Sequence, residues 1–261
     1  MFGLMELCQR KTEFDQQKFW DLYARIDFFQ KIPKKHLNSY RFDFQKEYFT
    51  INQPNLKNHT PFYGLESFFL NTYCCLLKIR ELSQKGLSKN YAEKNILEFI
   101  DWMADTLGIL GGIEFKLAMN IFGGKTEFRK MIWLEGKNNL IQKKIIGTAW
   151  DITFARFCSN NFSLSKKLGE NLNAYFLTSD TNLFKLLSEN SLTMILDSGE
   201  IGSSSMINTS FDCPHFDESF INKNNRKMLE LITERFNQEI IFDKNKVVDL
   251  IINLEKTNNV A

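Results

Sequence analysis

The sequence lacks several features that would place it in a class at once. Its longest apolar runs are far below the roughly 18 residues needed to cross a bilayer, and its N-terminus, MFGLMELCQRKTEF, has no apolar signal core. It contains no CxxC or HExxH motif, and its three histidines are scattered singly. Five cysteines, an odd number without metal-like pairing, suggest reduced core residues. We therefore expect a cytosolic chain without a zinc site.

A strong excess of one charge is also missing. The chain has 33 Lys and Arg against 31 Asp and Glu, a formal net charge of +2 at pH 7. High-affinity, sequence-independent binders of nucleic acid normally show a strong basic excess. The charge does not exclude a nuclease, because an enzyme needs only a local basic rim around its site.

Apolar residues, in contrast, are plentiful. Of the 261 residues, 43% are hydrophobic and 25 are phenylalanine. A chain of this length and composition can bury a substantial core, and we interpret most of the phenylalanines as core filling.

Helical spacing dominates the middle of the chain. After Thr60, a possible N-cap, Pro61 suits the first position of a long helix that continues to Gly86. A second helix is predicted from about Tyr91 to Gly108, and a short third one between two Gly-Gly pairs, at 111–112 and 123–124. Further helices are predicted over about 14–29, 137–157, 222–236 and 244–254.

Two short apolar segments near residue 190 predict strands. AYFLTSD, residues 174–180, and LTMILDSGE, residues 192–200, flank the helical pattern of residues 181–190. Strand, helix and strand in this order indicate a parallel crossover. The segment 202–216, GSSSMINTSFDCPHF, has the composition of a loop.

The sequence thus predicts an α/β fold with a small parallel sheet flanked by helices. We expect an irregular or helical N-terminal extension over residues 1–57, an α/β core over 58–210, and C-terminal helices over 211–261 that pack on this core.

Three carboxylates stand in apolar surroundings. Glu114 falls on the apolar face of its short helix, and Asp151 lies next to a stripe of small residues on the fourth helix. Asp180 follows the first predicted strand, with Thr178 two residues before it, where parallel sheets bind ligands. Each acid also has a plain interpretation: a residue in a first helical turn, a surface acid, or a helix cap.

The order of these acids resembles the PIN-domain family of metal-dependent ribonucleases. EFKLA matches the E-x-x-x-A form around the family's glutamate with Glu114, Asp151 resembles its helical aspartate, and Thr178 with Asp180 resembles its final hydroxyl-x-Asp motif. The similarity covers residues 110–200. The family's first-strand Asp triplet is not found upstream of Glu114, where Asp27 and Asp43 are the available substitutes.

The resemblance implies an endonuclease that hydrolyses phosphodiester bonds. Glu114, Asp151 and Asp180 would hold Mg²⁺ or Mn²⁺, supported by Thr178, and the metal would activate a water. RNA is the substrate that the family implies, and the residues do not separate RNA from DNA. The alternative is a non-catalytic interaction module in which the same acids are helix caps and surface groups.

Overall fold

The computed structural model describes residues 7–10, 13–31, 61–135, 140–159, 178–188, 191–197, 203–208, 212–236 and 242–260. The chain divides into two compact units, Met1–Gly64 and Leu65–Ala261. Most of the described residues are helical.

The first unit contains a short hairpin and one helix. Strand β1, Gln9–Arg10, pairs antiparallel with β2, Glu13–Phe14, and α1 follows over Gln16–Lys31. The carboxylate of Asp15 accepts a hydrogen bond from the backbone N–H of Lys18 at 3.0 Å, which caps the start of α1. The predicted N-terminal helix is confirmed.

The remaining described helices lie in the second unit, except that the first of them begins at Pro61, four residues before this unit starts. Their bounds follow the predicted pattern closely. They are α2 (Pro61–Lys85), α3 (Lys89–Asp101), a π-helical segment (Trp102–Leu107), α4 (Gly112–Phe122), a 3₁₀ helix (Thr126–Ile132), α5 (Ile141–Ser159), α6 (Thr181–Ser188), α7 (Glu218–Phe236) and α8 (Lys244–Thr257). None of the described helices combines the length and the apolar character that a membrane span requires.

Local chemistry accounts for where several of these helices stop or start. Gly108 has φ 81°, a left-handed conformation that favours glycine, and its N–H donates to the carbonyl of Met103 at 3.0 Å, ending the π-helical segment. The Asp243 carboxylate accepts from the N–H of Lys246 at 3.1 Å and caps α8.

The core of the second unit is centred on α4, whose residues from Ile113 to Phe122 are all buried. Aromatic rings join α2 to α5: the rings of Phe69 and Trp150 stack at 4.4 Å, and Trp150 stacks on Phe154 at 5.0 Å. The interpretation of phenylalanine as core filling is confirmed at these positions, since Phe69 and Phe122 are fully buried.

The predicted fold class is wrong. Strand β3, Ser191–Asp197, pairs antiparallel with β4, Ser203–Asn208, with Leu192 opposite Ile207 and Asp197 opposite Ser203. The described residues contain two antiparallel strand pairs and no parallel pair, so the predicted α/β fold with a small parallel sheet gives way to a mostly helical one.

The physical reason is that β3 finds its partner in the next segment of the chain. A short link suffices for an antiparallel pair, whereas a parallel pair needs a crossover. Segment 202–216, predicted as a loop from its serines, supplies β4 instead. The other predicted strand, residues 174–177, lies outside the described residues, and Thr178 to Asp180 form no regular secondary structure.

Candidate functional site

Glu114 lies in the first turn of α4 and is 2% exposed. Its sequence position on an apolar helical face therefore does correspond to burial. A buried carboxylate must be compensated by partners, because its desolvation is costly.

Two residues from other helices supply that compensation. Nη2 of Arg156 on α5 donates to both carboxylate oxygens of Glu114 at 2.6 Å, and the hydroxyl of Thr72 on α2 donates to Oε1 at 2.6 Å. Nη1 of Arg156 also donates to the Thr72 hydroxyl at 3.1 Å. These three residues, which we call the Glu114 cluster, tie α2, α4 and α5 together.

The cluster keeps Glu114 ionised. Burial by itself raises the pKa of the Glu114 carboxyl, but the charge of Arg156 and the hydrogen bonds from Thr72 and Arg156 outweigh it and hold this pKa below its ordinary value. The same surroundings act on a neighbour: burial, reinforced by the Glu114 charge, raises the pKa of the Cys75 thiol well above its usual range.

Gly111, immediately before α4, makes room for the carboxylate. A Cβ built on Gly111 would lie 2.3 Å from Oε2 of Glu114, whereas one on Gly112 would meet nothing within 4 Å. The first glycine of the Gly-Gly pair is therefore required by a close approach, and the second is not.

Asp180 has a local role. Its Oδ1 accepts hydrogen bonds from the backbone N–H groups of Asn182 at 2.8 Å and Leu183 at 3.0 Å, so it caps α6. Thr178 accepts from the N–H of Asp180 at 3.1 Å. Both contacts are those of a turn leading into a helix, the plain interpretation that the sequence also allowed.

Asp151 is half-buried on α5, five residues before Arg156. Five helical residues correspond to a rotation of about 140°, so Asp151 starts from a different side of α5 than the residue that binds Glu114. The described part of the chain, which includes Glu114, Asp151 and Asp180, contains no group of three His, Cys, Asp or Glu side chains that could hold a metal ion.

The sequence also offered two substitutes for the first-strand acid of the PIN-domain family. Asp27 lies on α1 in the first unit, and Asp43 lies outside the described residues. Arg156 and Thr72 were not predicted as partners of Glu114. The available signal was a single arginine inside the apolar stretch ITFARFC, matched by a single glutamate inside GGIEFKLA.

A second polar region lies on the outer side of α3 and the π-helical segment. An open groove of about 830 Å³ runs there, a size within the usual range of about 300–1,000 Å³ for ligand sites. Its lining, which we call the α3 groove, consists of Lys78, Asn90, Glu93, Lys94, Leu97, Glu98, Asp101, Trp102, Asp105 and Thr106. Lys78 belongs to α2, and the other residues recur every three or four positions, so they share one side of α3 and the π-helical segment.

The groove carries acids and bases in equal number. Its lining has four carboxylates and two lysines, and two further lysines, Lys85 of α2 and Lys227 of α7, bind acids of this lining. Lys78 and Lys85 both bind Glu98, at 3.3 Å and 2.8 Å, and Lys227 from α7 binds Asp101. Burial alone would raise the pKa of Glu98, but the hydrogen bonds from Lys85 and Lys78 and their charges lower it.

The π-helical segment shapes one end of the groove. It places Trp102 in the lining, stacked on Phe99 with ring centroids 6.2 Å apart, and Lys78 lies 6.0 Å above the Trp102 ring. Arg235 from α7 donates to the carbonyl of Ala104 within this segment. Short π-helical turns occur often at functional positions, and here the widened turn exposes an aromatic ring beside acids.

The Glu114 cluster is thus buried and paired, and the α3 groove is open. The sequence signal for the open one was the recurrence of Glu93, Glu98, Asp101 and Asp105 along a predicted helix that also contains Trp102. Comparisons with protein-family models, with curated proteins and with solved structures found no match to this chain.

Proposed function

We propose that this chain is a non-catalytic, mostly helical interaction module that binds a protein partner through the α3 groove. The observation that carries the proposal is the contrast between the two polar regions. The best-placed acid for metal chemistry, Glu114, has both oxygens bound by Arg156, while the α3 groove presents open charged and aromatic surface.

The composition of the α3 groove favours a role in binding over a purely structural role. Trp102 is half-exposed, and tryptophan is enriched among the residues that dominate the energy of protein interfaces. Leu97 is an apolar residue of the same lining, whose other members are mostly charged or polar. Aromatic and apolar residues with polar surroundings are typical of protein interfaces.

The buried cluster supports the non-catalytic part of the proposal. For Glu114 to ligate a metal or position a water, Arg156 and Thr72 would have to give up hydrogen bonds to its buried carboxylate, and the new ligand would have to offset the loss of these contacts. The capping bonds of Asp180 likewise occupy Oδ1 with backbone donors.

The metal-dependent ribonuclease remains a prediction from the residues, as do Mg²⁺ or Mn²⁺ and an RNA substrate. We keep the cytosol as the proposed location of the interaction module, on the same composition argument as above.

Selection from a random peptide library displayed on phage tests the proposal. Peptides selected on the wild-type protein should lose about tenfold in affinity for Leu97→Ser, because one buried apolar contact of this size is worth about 1.4 kcal/mol. The matched control is Ile252→Ser, at a residue on α8 that is 41% exposed and outside the groove.

Equal losses in the two variants, or a selection that yields no binding peptide, would contradict the proposal. Circular dichroism of both variants should show the wild-type helical content, so that a loss of binding is assigned to the surface.

A further inference from the structure

Resting on the proposed function, we propose that Arg235 is a positioning residue for the α3 groove. Arg235 lies on α7, outside the groove lining, and its Nη2 donates to the carbonyl of Ala104 in the π-helical segment. By binding this carbonyl, Arg235 fixes the hydrogen-bond register of the segment and thereby places Asp105 and Thr106 along the groove.

The hydrogen bonds at the end of the π-helical segment leave the Ala104 carbonyl for Arg235. In an α-helix the N–H of Gly108 would donate to the carbonyl of Ala104, four residues earlier. Here it donates to the carbonyl of Met103, five residues earlier, at 3.0 Å. Ala104 is buried, so a carbonyl without a donor would be unfavourable at this position. The guanidinium of Arg235 supplies the donor that the Gly108 N–H does not.

The location of this contact suits a cation. Carbonyl groups in the last turn of a helical segment lack partners within it and carry partial negative charge. Arg235 brings a guanidinium, which has only donors, to this end of the segment, and its Nη1 is buried there. A second cation from the same helix, Lys227, binds Asp101. Helix α7 therefore contacts the chain on both sides of Trp102, at Asp101 and at Ala104.

The register decides which side chains line this end of the groove. Asp101 and Trp102 line it, and so do Asp105 and Thr106, four residues further along the chain. Four residues exceed one turn of an α-helix by about 40°, whereas they fall short of one turn of the wider π-helix. A return to the α-helical register would therefore rotate Asp105 and Thr106 relative to Trp102 and would change the surface that a partner contacts.

Scalar couplings across hydrogen bonds, measured by NMR on the full chain, test the register directly. In the wild-type protein the Gly108 amide should correlate with the Met103 carbonyl. Arg235→Met keeps a long apolar side chain but removes the donors, so its Gly108 amide should correlate with the Ala104 carbonyl instead. The control Arg226→Met changes an exposed arginine of the same helix and should keep the wild-type correlation.

Affinity then connects the register to the groove. Peptides selected on the wild-type protein should bind Arg235→Met at least about threefold more weakly, because two of the groove's lining residues change position. Their affinity for Arg226→Met should stay within about twofold of the wild-type value. Circular dichroism should show the wild-type helical content for both variants.

The outcomes distinguish this inference from the proposed function. A Gly108 amide that stays coupled to Met103 in Arg235→Met would overturn the role of Arg235, and so would a shifted coupling without a change in affinity. A loss of helical content in Arg235→Met would make Arg235 a residue of general stability and would also overturn its positioning role. If no peptide is selected, the proposed function fails and this inference fails with it; a coupling that still shifts would then identify the interface as the wrong part.

Discussion

The Glu114 cluster and the α3 groove contain the same type of group in opposite surroundings. Glu114 is 2% exposed and receives donors from two other helices, whereas Glu93 and Asp105 on the groove are exposed. Separating a buried carboxylate from its partners costs several kcal/mol of free energy, about 3–5 kcal/mol, whereas an exposed carboxylate is accessible to a ligand. Burial thus makes the first group part of the packed core, whereas exposure leaves the second accessible, as the proposed recognition role requires.

Removal of the buried acid should have the largest effect. Glu114→Ala removes the buried carboxylate that pairs with Arg156 and should lower the free energy of unfolding by about 3–5 kcal/mol. Glu93→Ala, an exposed acid of the groove, should change it by no more than about 0.5 kcal/mol. Urea unfolding measures both, and a cost below about 1 kcal/mol for Glu114→Ala would contradict the structural role of the Glu114 cluster.

The coupling energy between paired residues should also differ between the Glu114 cluster and the α3 groove. A double-mutant cycle on Glu114 and Arg156, using alanine at both positions, should give a coupling energy of about 2 kcal/mol, since the carboxylate is buried. The cycle on Glu98 and Lys85, whose side chains are 34% and 44% exposed, should give less than about 1 kcal/mol. Equal values from the two cycles would remove the distinction between the regions.

The two glycines at the start of α4 offer a test of the close approach between Gly111 and the Glu114 carboxylate. Gly111→Ala should cost about 1–3 kcal/mol, because its Cβ would lie 2.3 Å from Oε2 of Glu114. Gly112→Ala has open space and a helical backbone, so it should be neutral or stabilise by up to about 1 kcal/mol. Thermal unfolding of the two variants compares them directly, and the reverse order of stability would argue against the position of Glu114.

Acidification should weaken the Glu114 cluster. The pKa of Glu114 is lowered in the folded state, so its contribution is complete above the unfolded carboxyl pKa of about 4.3 and is lost as pH falls through the lower, folded pKa. Wild type should therefore lose more stability than Glu114→Gln between about pH 5 and about pH 3. Parallel urea titrations at several pH values measure the difference, and superimposable pH profiles would count against an ionised Glu114.

The smallest expected effect is that of adding a metal ion on the thermal midpoint of unfolding. If the acids have the roles described above, Mn²⁺ should leave the thermal midpoint within about 1 °C of its value without metal, because no ligand binding would stabilise the fold. Cleavage of labelled RNA by wild type and by Asp151→Asn should then be equal. A metal-dependent cleavage that Asp151→Asn abolishes would restore the ribonuclease hypothesis and reject the interaction module.

The helices could be predicted because their signals are local. Pro61 begins α2 and Gly86 follows its last residue, and the Gly-Gly pairs bracket α4. Capping, backbone conformation and apolar spacing act within a few residues, so a single sequence contains them. No such local signal predicted the extra residue per turn in the π-helical segment. Arg235, which donates to the Ala104 carbonyl of this segment, comes from α7, a distant part of the chain.

The candidate site was less predictable because its contacts join distant parts of the chain. The apolar setting of Glu114 correctly indicated burial, but its partners Thr72 and Arg156 each lie 42 residues away along the chain. An acid on an apolar face looks the same in a sequence whether a metal ion or an arginine neutralises it. The resemblance to PIN-domain ribonucleases includes Glu114 as one of its three acids and stays a prediction.

The sequence by itself determined a globular chain rich in amphipathic helices and the places where most of those helices begin and end, since these depend on neighbouring residues. Only the tertiary structure decided that β3 pairs antiparallel with β4, that Arg156 neutralises Glu114, and that Glu93 and Asp101 of α3 are exposed in the groove that Trp102 also lines. Pairing, neutralisation and exposure are set by which segments pack together, and that information is spread over the whole chain.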